Sequence, residues 1–198
     1  MKPAVFLDRD GTMVHDTGYL SRLEDLQWFP YTIDAVRLLN RAGFLVIVAT
    51  NQGGVGLGFY PEAFVHQVHG IMADRIGAAG GRVDAWLYCP HHPHAKIEAL
   101  RIECDCRKPL GGMVQQAQQQ FDIDLAGSFV VGDKMSDVGL AKSVGARGIL
   151  VRTGHGEAEI ARRGGRVPEA ALVADNLIEA TAWMLSDGGR VFRPGSAS

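Results

Sequence analysis

The sequence predicts an α/β fold in three layers, Rossmann-like, with a parallel sheet held between helices. Two observations predict it. Short apolar runs alternate with segments of helical spacing. The runs are rich in Val, Ile, Leu and Phe and show little polar alternation, as strands covered on both faces do. A third observation says where the chemistry sits: polar and reactive side chains follow strand after strand, where open sheets of this kind bind ligands.

Taken in order, strands are predicted over Ala4–Leu7, Phe44–Ala49, Val83–Tyr88, Ser128–Val131, Gly148–Val151 and Ala171–Ala174. Helical stripes fall between them. Ile33, Val36 and Leu39 make one, and Phe64, Val68, Ile71, Met72 and Ile76 a second. Val138, Ala141 and Val144, then Ile178, Thr181 and Leu185, mark later ones. Gly43, Gly80-Gly81 and Gly145 stand where helix C-caps are expected. The glutamines from Gln115 to Gln120 read as the solvated face of a further helix.

The chain has 198 residues, with 20 Lys and Arg against 22 Asp and Glu, a net charge of −2. That length suits a single domain, assigned to residues 1–187, with a flexible tail over 188–198 rich in Gly, Ser and Arg. Near-neutral charge argues against nucleic acid or an anionic membrane as partner. No apolar run is long enough to span a bilayer, and the N-terminus lacks the form of a leader, so a cytoplasmic protein is expected. No exposed apolar stripe stands out, and a monomer is expected.

The residues after the strands point to phosphoryl chemistry. Asp8 and Asp10 flank Arg9 after the first strand, and Gly11-Thr12 permit a sharp turn. Paired carboxylates repel and call for a cation, and hard oxygen ligands favour Mg²⁺. Asp133 stands after the fourth strand, with Asp137 close behind as either a helix N-terminal acid or a water-mediated ligand. Lys108 and Lys134 supply positive charge. Thr50, Asn51 and the amides around Gly53-Gly54 supply hydrogen bonds. Together they form an electrophilic cradle for a phosphoryl group.

Asp8-Arg9-Asp10-Gly11-Thr12, Thr50-Asn51-Gln52, Arg107-Lys108-Pro109 and Gly132-Asp133-Lys134 resemble, in order, the signature motifs of the haloacid-dehalogenase (HAD) superfamily. The resemblance covers residues 4 to 151. It implies a HAD fold in which Asp8 is the nucleophile and Asp10 the general acid and base. Thr50 and Lys108 would hold the phosphoryl oxygens, and Asp8, the backbone carbonyl of Asp10 and Asp133 would hold Mg²⁺. A second acid at position 10 favours a phosphatase over relatives that keep the acyl phosphate or dehalogenate. The insertions Val14–Pro30, Gly53–Pro61 and Cys89–Cys106 are too short for a large cap domain, which needs about 60 residues. Trp28, Phe29 and Phe59 are expected to pack these loops.

The three cysteines stand as Cys89-Pro90-His91 and Cys104-Asp105-Cys106. Three thiolates and an imidazole make a structural zinc set, and spacing leaves His91, His92 and His94 open as the fourth ligand. The loop from Cys89 through Pro109 resembles that of D,D-heptose 1,7-bisphosphate phosphatases, which implies His91. Four protein ligands leave no site for water, so Zn²⁺ would be structural and would position Arg107 and Lys108. The Arg107 fork suits a second phosphate or sugar oxygens. Asp16-Thr17-Gly18-Tyr19 resembles a substrate-contacting stretch of the same family, and Asn51, Gln52, Gly53 and Lys134 complete the expected substrate contacts.

One stretch departs from the pattern. After the second strand those enzymes commonly carry Ser and Arg where this chain has Gly53 and Leu57. The expected function is Mg²⁺-dependent removal of the 7-phosphate from a heptose bisphosphate, a small phosphorylated sugar. The alternatives are histidinol phosphate or another small sugar or polyol phosphate as substrate, and a zinc-stabilised interaction module without catalysis.

Overall fold

The computed structural model describes residues 1–186. The tail assigned to 188–198 lies outside the described residues. In chain order the elements are β1 (Lys2–Leu7), α1 (Thr32–Arg41), β2 (Leu45–Asn51), α2 (Glu62–Ala78), β3 (Ala85–Cys89) and α3 (Gly112–Gln118). Then follow β4 (Ile123–Gly132), α4 (Met135–Val144), β5 (Arg147–Val151), α5 (Gly156–Arg162), β6 (Leu172–Ala174) and α6 (Leu177–Leu185). Single 3₁₀ turns occupy Leu23–Asp25 and Glu98–Leu100.

The strands form a six-stranded sheet in the order β3-β2-β1-β4-β5-β6, with every pairing parallel. β1 is central, and Ala4 to Leu7 are shut off from solvent. Its alternate side chains serve two cores, as the strand period requires. Val5 and Leu7 join Val46, Val48 and Val131 against α1, α2 and α6. Ala4 and Phe6 join Ile47, Ala49 and Val130 against α3 and α4. This is the expected three-layer arrangement.

Register places the reactive groups. Leu7 pairs with both Val48 and Val131, so β1 and β4 end within a residue of each other while β2 runs on to Asn51 beside them. Asp8, Thr50 and Asp133 therefore come to one sheet edge, between the neighbours β2 and β4 on either side of β1. That is the switch point of the topology.

Three predicted elements are corrected. β4 begins at Ile123 rather than Ser128, because Ile123 and Asp124 pair with Lys2 and Pro3 before the ladder shifts between Pro3 and Val5. The Ala4 N–H meets the Ser128 hydroxyl at 2.8 Å at that irregularity. In α6 the buried face is Leu177, Ala180, Thr181 and Met184, and Leu185 is exposed. The Asn176 side chain accepts the Glu179 N–H and starts the helix so that Leu177 faces inward. In α2 Ile71 is exposed, and Val65, Val68, His69, Met72 and Ile76 form the buried stripe.

Gly145 caps α4 at φ +76°, and Gly43 and Gly80 take φ +88° and +79° just beyond α1 and α2, as expected of helix ends. The aromatics pack the loops. The Arg75 guanidinium lies 4.9 Å from the Trp28 ring centre, Phe29 stacks on Tyr31, and Phe59 lies against Tyr19. No helix among the described residues is long and apolar enough to cross a membrane.

Candidate active site

Asp8 is the first residue beyond β1, and its N–H donates to the Val131 carbonyl at 2.9 Å. Its carboxylate accepts the Arg9 N–H at 2.8 Å and faces Lys108 Nζ at 2.9 Å. Burial alone would raise its pKa, but Lys108 and then Lys134 outweigh burial and hold the group below its ordinary value. Asp8 is thus ionised and aimed across the sheet edge.

Asp133 lies against Asp8 and is fully buried. Its Oδ2 accepts the His155 N–H at 2.7 Å. Its Oδ1 has no hydrogen-bond partner, with Lys134 Nζ 3.8 Å away. Burial, then the charge of Asp8, pushes its pKa up to about 8. The backbone is bent to admit this carboxylate. At both Gly11 and Gly154, which have positive φ, a Cβ would come 2.2 Å from Asp133 Oδ2.

Oxygen atoms of Asp8, Asp133 and Asp137 lie within 4.8 Å of one another. All three carboxylates are buried, and Asp133 Oδ1 has no hydrogen-bond partner. Such a set fits a hard divalent cation. Asp137 has other work. Its Oδ1 lies 2.6 Å from Lys108 Nζ, and its Oδ2 accepts the Lys134 N–H at 3.0 Å, capping α4. It is a helix N-terminal acid, as weighed from sequence, and also the second counterion of Lys108.

Asp10 is held by a clamp. Arg9, 1% exposed, donates through Nε to Asp10 Oδ1 at 3.0 Å and through Nη2 to Oδ2 at 2.9 Å. Gln52 Nε2 donates to the same Oδ2 at 2.8 Å and to the Thr50 hydroxyl at 3.0 Å. Gln52 Oε1 accepts from Arg9 Nη2 and from the Tyr60 hydroxyl, each at 2.9 Å. Asn51 pins Lys108 by accepting its N–H at 3.0 Å and donating to its carbonyl at 3.2 Å. Asn51 and Gln52 line the cavity, but their polar atoms orient Lys108 and Asp10.

A cavity of about 450 Å³ opens above these groups. Asp10, Lys108 and Asn51 lie on its floor side, and Tyr19, Arg107 and His155 line its walls. Asp16 Oδ2 stands 3.0 Å from Lys134 Nζ and 3.1 Å from His155 Nε2, while its Oδ1 accepts the Gly18 N–H at 2.7 Å. Gly18 and Tyr19 line the cavity. Thr17 is exposed and is not among its lining. At Gly53 a Cβ would lie 3.0 Å from the His92 ring and 3.2 Å from Arg107 Nη1, so glycine here lets both side chains close over the loop.

Sequence reasoning missed Tyr60, Ser136 and His155 of this lining, and the role of Arg9. His155 was findable. It follows β5, and the strand-end rule that located Asp8 and Asp133 applies there equally.

The cysteines and His91 gather at the end of β3. Cys89 Sγ lies 3.6 Å from Cys104 Sγ, 3.2 Å from Cys106 Sγ and 3.6 Å from His91 Nδ1, and His91 Nδ1 lies 3.2 Å from Cys106 Sγ. A tetrahedral ion with bonds of about 2.3 Å has edges near 3.8 Å, close to these spacings. Burial raises the pKa of Cys89 and Cys106, so thiolates here need a cation beside them. His92 is turned away and accepts the His94 N–H at 3.1 Å. Of the three candidate histidines, His91 alone joins the cluster. Arg107 ties the cluster to the cavity, donating from Nη1 to the His91 carbonyl at 2.9 Å.

Comparison with known proteins agrees with this geometry. Residues 105–180 match a Hydrolase-like family model described as HAD-hydrolase-like. The D-glycero-beta-D-manno-heptose-1,7-bisphosphate 7-phosphatase of Rhodopseudomonas palustris is 40% identical over 147 residues, covering 74% of this chain and 82% of that protein. The enzyme of the same name from Escherichia coli K12 is 41% identical over 154 residues, covering 77% and 80%. The crystal structure of D,D-heptose 1,7-bisphosphate phosphatase from B. bronchiseptica, complexed with magnesium and phosphate, superposes with a TM-score of 0.81 at 33% identity, covering 92% of this chain and 98% of that one.

Proposed function

Because this chain belongs to the heptose-bisphosphate 7-phosphatase family of HAD-like hydrolases, we propose that it removes the 7-phosphate of D-glycero-D-manno-heptose 1,7-bisphosphate. It is a phosphoric monoester hydrolase, and its residues divide the work as follows from their positions.

Asp8 attacks phosphorus. A bond forms between its carboxylate oxygen and phosphorus as the bond from phosphorus to the sugar oxygen breaks. Asp10 gives a proton to that departing oxygen. The resulting Asp10 carboxylate then takes a proton from water as the water attacks the aspartyl phosphate, freeing inorganic phosphate and Asp8. Thr50 and Lys108 hold the phosphoryl oxygens, and the pair Asp137–Lys108 keeps the ammonium in place. Mg²⁺, held by Asp8, Asp133 and the Asp10 carbonyl, supplies charge neutralisation between nucleophile and phosphate.

Arg107, Lys134, Asp16 and Tyr19 face the rest of the substrate, with the Gly53 loop beneath His92. Cys89, His91, Cys104 and Cys106 would hold a structural Zn²⁺, and the His91 carbonyl of that cluster accepts from Arg107 Nη1. We read residues 1–187 as one domain and the protein as a monomer. Three unpaired thiols suit a cytoplasmic setting.

The observation that carries this reading is Asp8, 2.9 Å from the buried Lys108 and grouped with Asp133, whose Oδ1 lacks a hydrogen-bond partner. The test is phosphate release with Mg²⁺ from both anomers of the heptose bisphosphate, histidinol phosphate and hexose phosphates, against Asp8→Asn as blank. A large kcat/KM preference for a heptose bisphosphate is expected. Preference for histidinol phosphate moves the substrate and leaves the chemistry. No release above the blank overturns the enzyme assignment.

A further inference from the structure

The Asp10 clamp extends into α2, which carries none of the signature residues. Arg9 uses Nε on Asp10 and Nη2 on Asp10 and Gln52, and its Nη1 points at His69 Nε2, 3.4 Å away. His69 sits among the buried residues of α2, its ring 4.9 Å from that of Trp86 and 5.9 Å from that of Tyr88. A guanidinium only donates, so His69 must present a bare Nε2 and keep its proton on Nδ1. Burial, with Arg9 and His66 beside it, lowers the His69 pKa to about 3, consistent with a neutral ring.

We propose that His69 is a positioning residue for the leaving-group proton: it fixes the third face of the Arg9 guanidinium, and Arg9 fixes the Asp10 carboxyl. A histidine on a core stripe is ordinarily a packing residue. This one supplies an acceptor to a fully buried guanidinium whose other donors already hold Asp10 and Gln52. Arg9 held at Nε and Nη2 alone can still pivot about its long side chain. The contact at Nη1 removes that freedom, and a small misplacement of a catalytic group is costly in rate. The inference rests on the reading of Asp10 as general acid.

Leaving-group chemistry separates this role from mere packing. A sugar alkoxide needs a proton to depart, whereas p-nitrophenolate does not. His69→Leu is therefore expected to lower kcat/KM for a sugar phosphate about tenfold and for p-nitrophenyl phosphate less than about twofold. His69→Gln returns an acceptor oxygen and is expected to recover most of the loss. Arg9→Lys, which keeps the charge without the fork, is expected to show the same leaving-group contrast, and it serves if His69→Leu does not fold by circular dichroism. Equal losses on both substrates, or no rescue by Gln, overturn the positioning role. Asp10→Asn in parallel tests the premise: without a leaving-group contrast there, Asp10 is not the acid. A contrast in Asp10→Asn alone sinks the inference about His69 and leaves the mechanism standing.

Discussion

Lys108 and Asp137 form an ion pair at 2.6 Å with both side chains closed to solvent. Burial works against charging Lys108, but Asp137 and Asp8 more than compensate and raise its pKa. The same Asp137 caps α4, so one carboxylate fixes both a helix start and the ammonium that faces phosphate.

Asp137→Ala leaves a buried ammonium with only Asp8 as partner. Breaking such a pair costs about 3–5 kcal/mol. The variant is expected to unfold at markedly lower urea and to lose most of its kcat. An unchanged midpoint would show that the pair is dispensable.

Asp133 gives the protein a pH signature that depends on cation. Its folded pKa is pushed from 3.8 up to about 8 when no metal is bound. The folded state then binds the proton more tightly than the unfolded chain, so this group's contribution to stability falls as pH rises between those values. In Mg²⁺-free buffer without a chelator, which leaves the zinc cluster alone, the Tm is expected to decline from pH 5 to pH 8. Mg²⁺ is expected to reverse the decline and to stabilise more at pH 8 than at pH 5, since binding needs the carboxylate. A metal-independent Tm profile across this range contradicts the assignment.

Gly11 and Gly154 are the tightest passages of the backbone over Asp133, each leaving only 2.2 Å for a Cβ. Gly154→Ala is expected to push the carboxylate aside and weaken Mg²⁺ activation at least about tenfold, because positive φ adds strain to the clash. A titration of activity against Mg²⁺ reads this directly. Gly43→Ala, also at positive φ but with nothing within 4 Å and outside the cavity, controls for strain alone.

The cysteine cluster predicts one zinc per chain by mass spectrometry of the purified protein. Cys106→Ser, or stripping with a strong chelator, is expected to lower the Tm and raise KM more than it lowers kcat, because Arg107 loses its anchor at the His91 carbonyl. Full activity at normal KM in zinc-free protein refutes the structural role.

The fold was legible because its signals are local. Buried parallel strands read as apolar runs, and glycines at +76° to +88° mark helix ends. The start of β4 differs from the expected Ser128 because Ile123 and Asp124 join the sheet through Lys2 and Pro3, which lie at the far end of the chain. The acids and the zinc ligands were legible because each chemistry demands few residue types. The polar residues behind them were not. Gln52 looked like a substrate contact, and only the meeting of β1, β2 and the Tyr60 loop shows that it serves Asp10. His69 carried no signal at all, since a histidine on a helix's inner stripe is ordinarily packing.

The place of β1 at the centre of the sheet has a consequence for how the chain is made. Among the described strands β1 comes first in the chain and needs two neighbours, and Ala4 meets Ser128 across 124 positions of sequence. Until β4 is synthesised, β1 and β2 can pair while the other edge of β1 keeps its N–H and C=O groups unpaired, an edge of the kind that invites aggregation. The same late pairing brings Asp133 to Asp8, so a nascent chain holds no assembled active site until that edge has closed. Recovery of activity after dilution from denaturant would then report the closing of that edge.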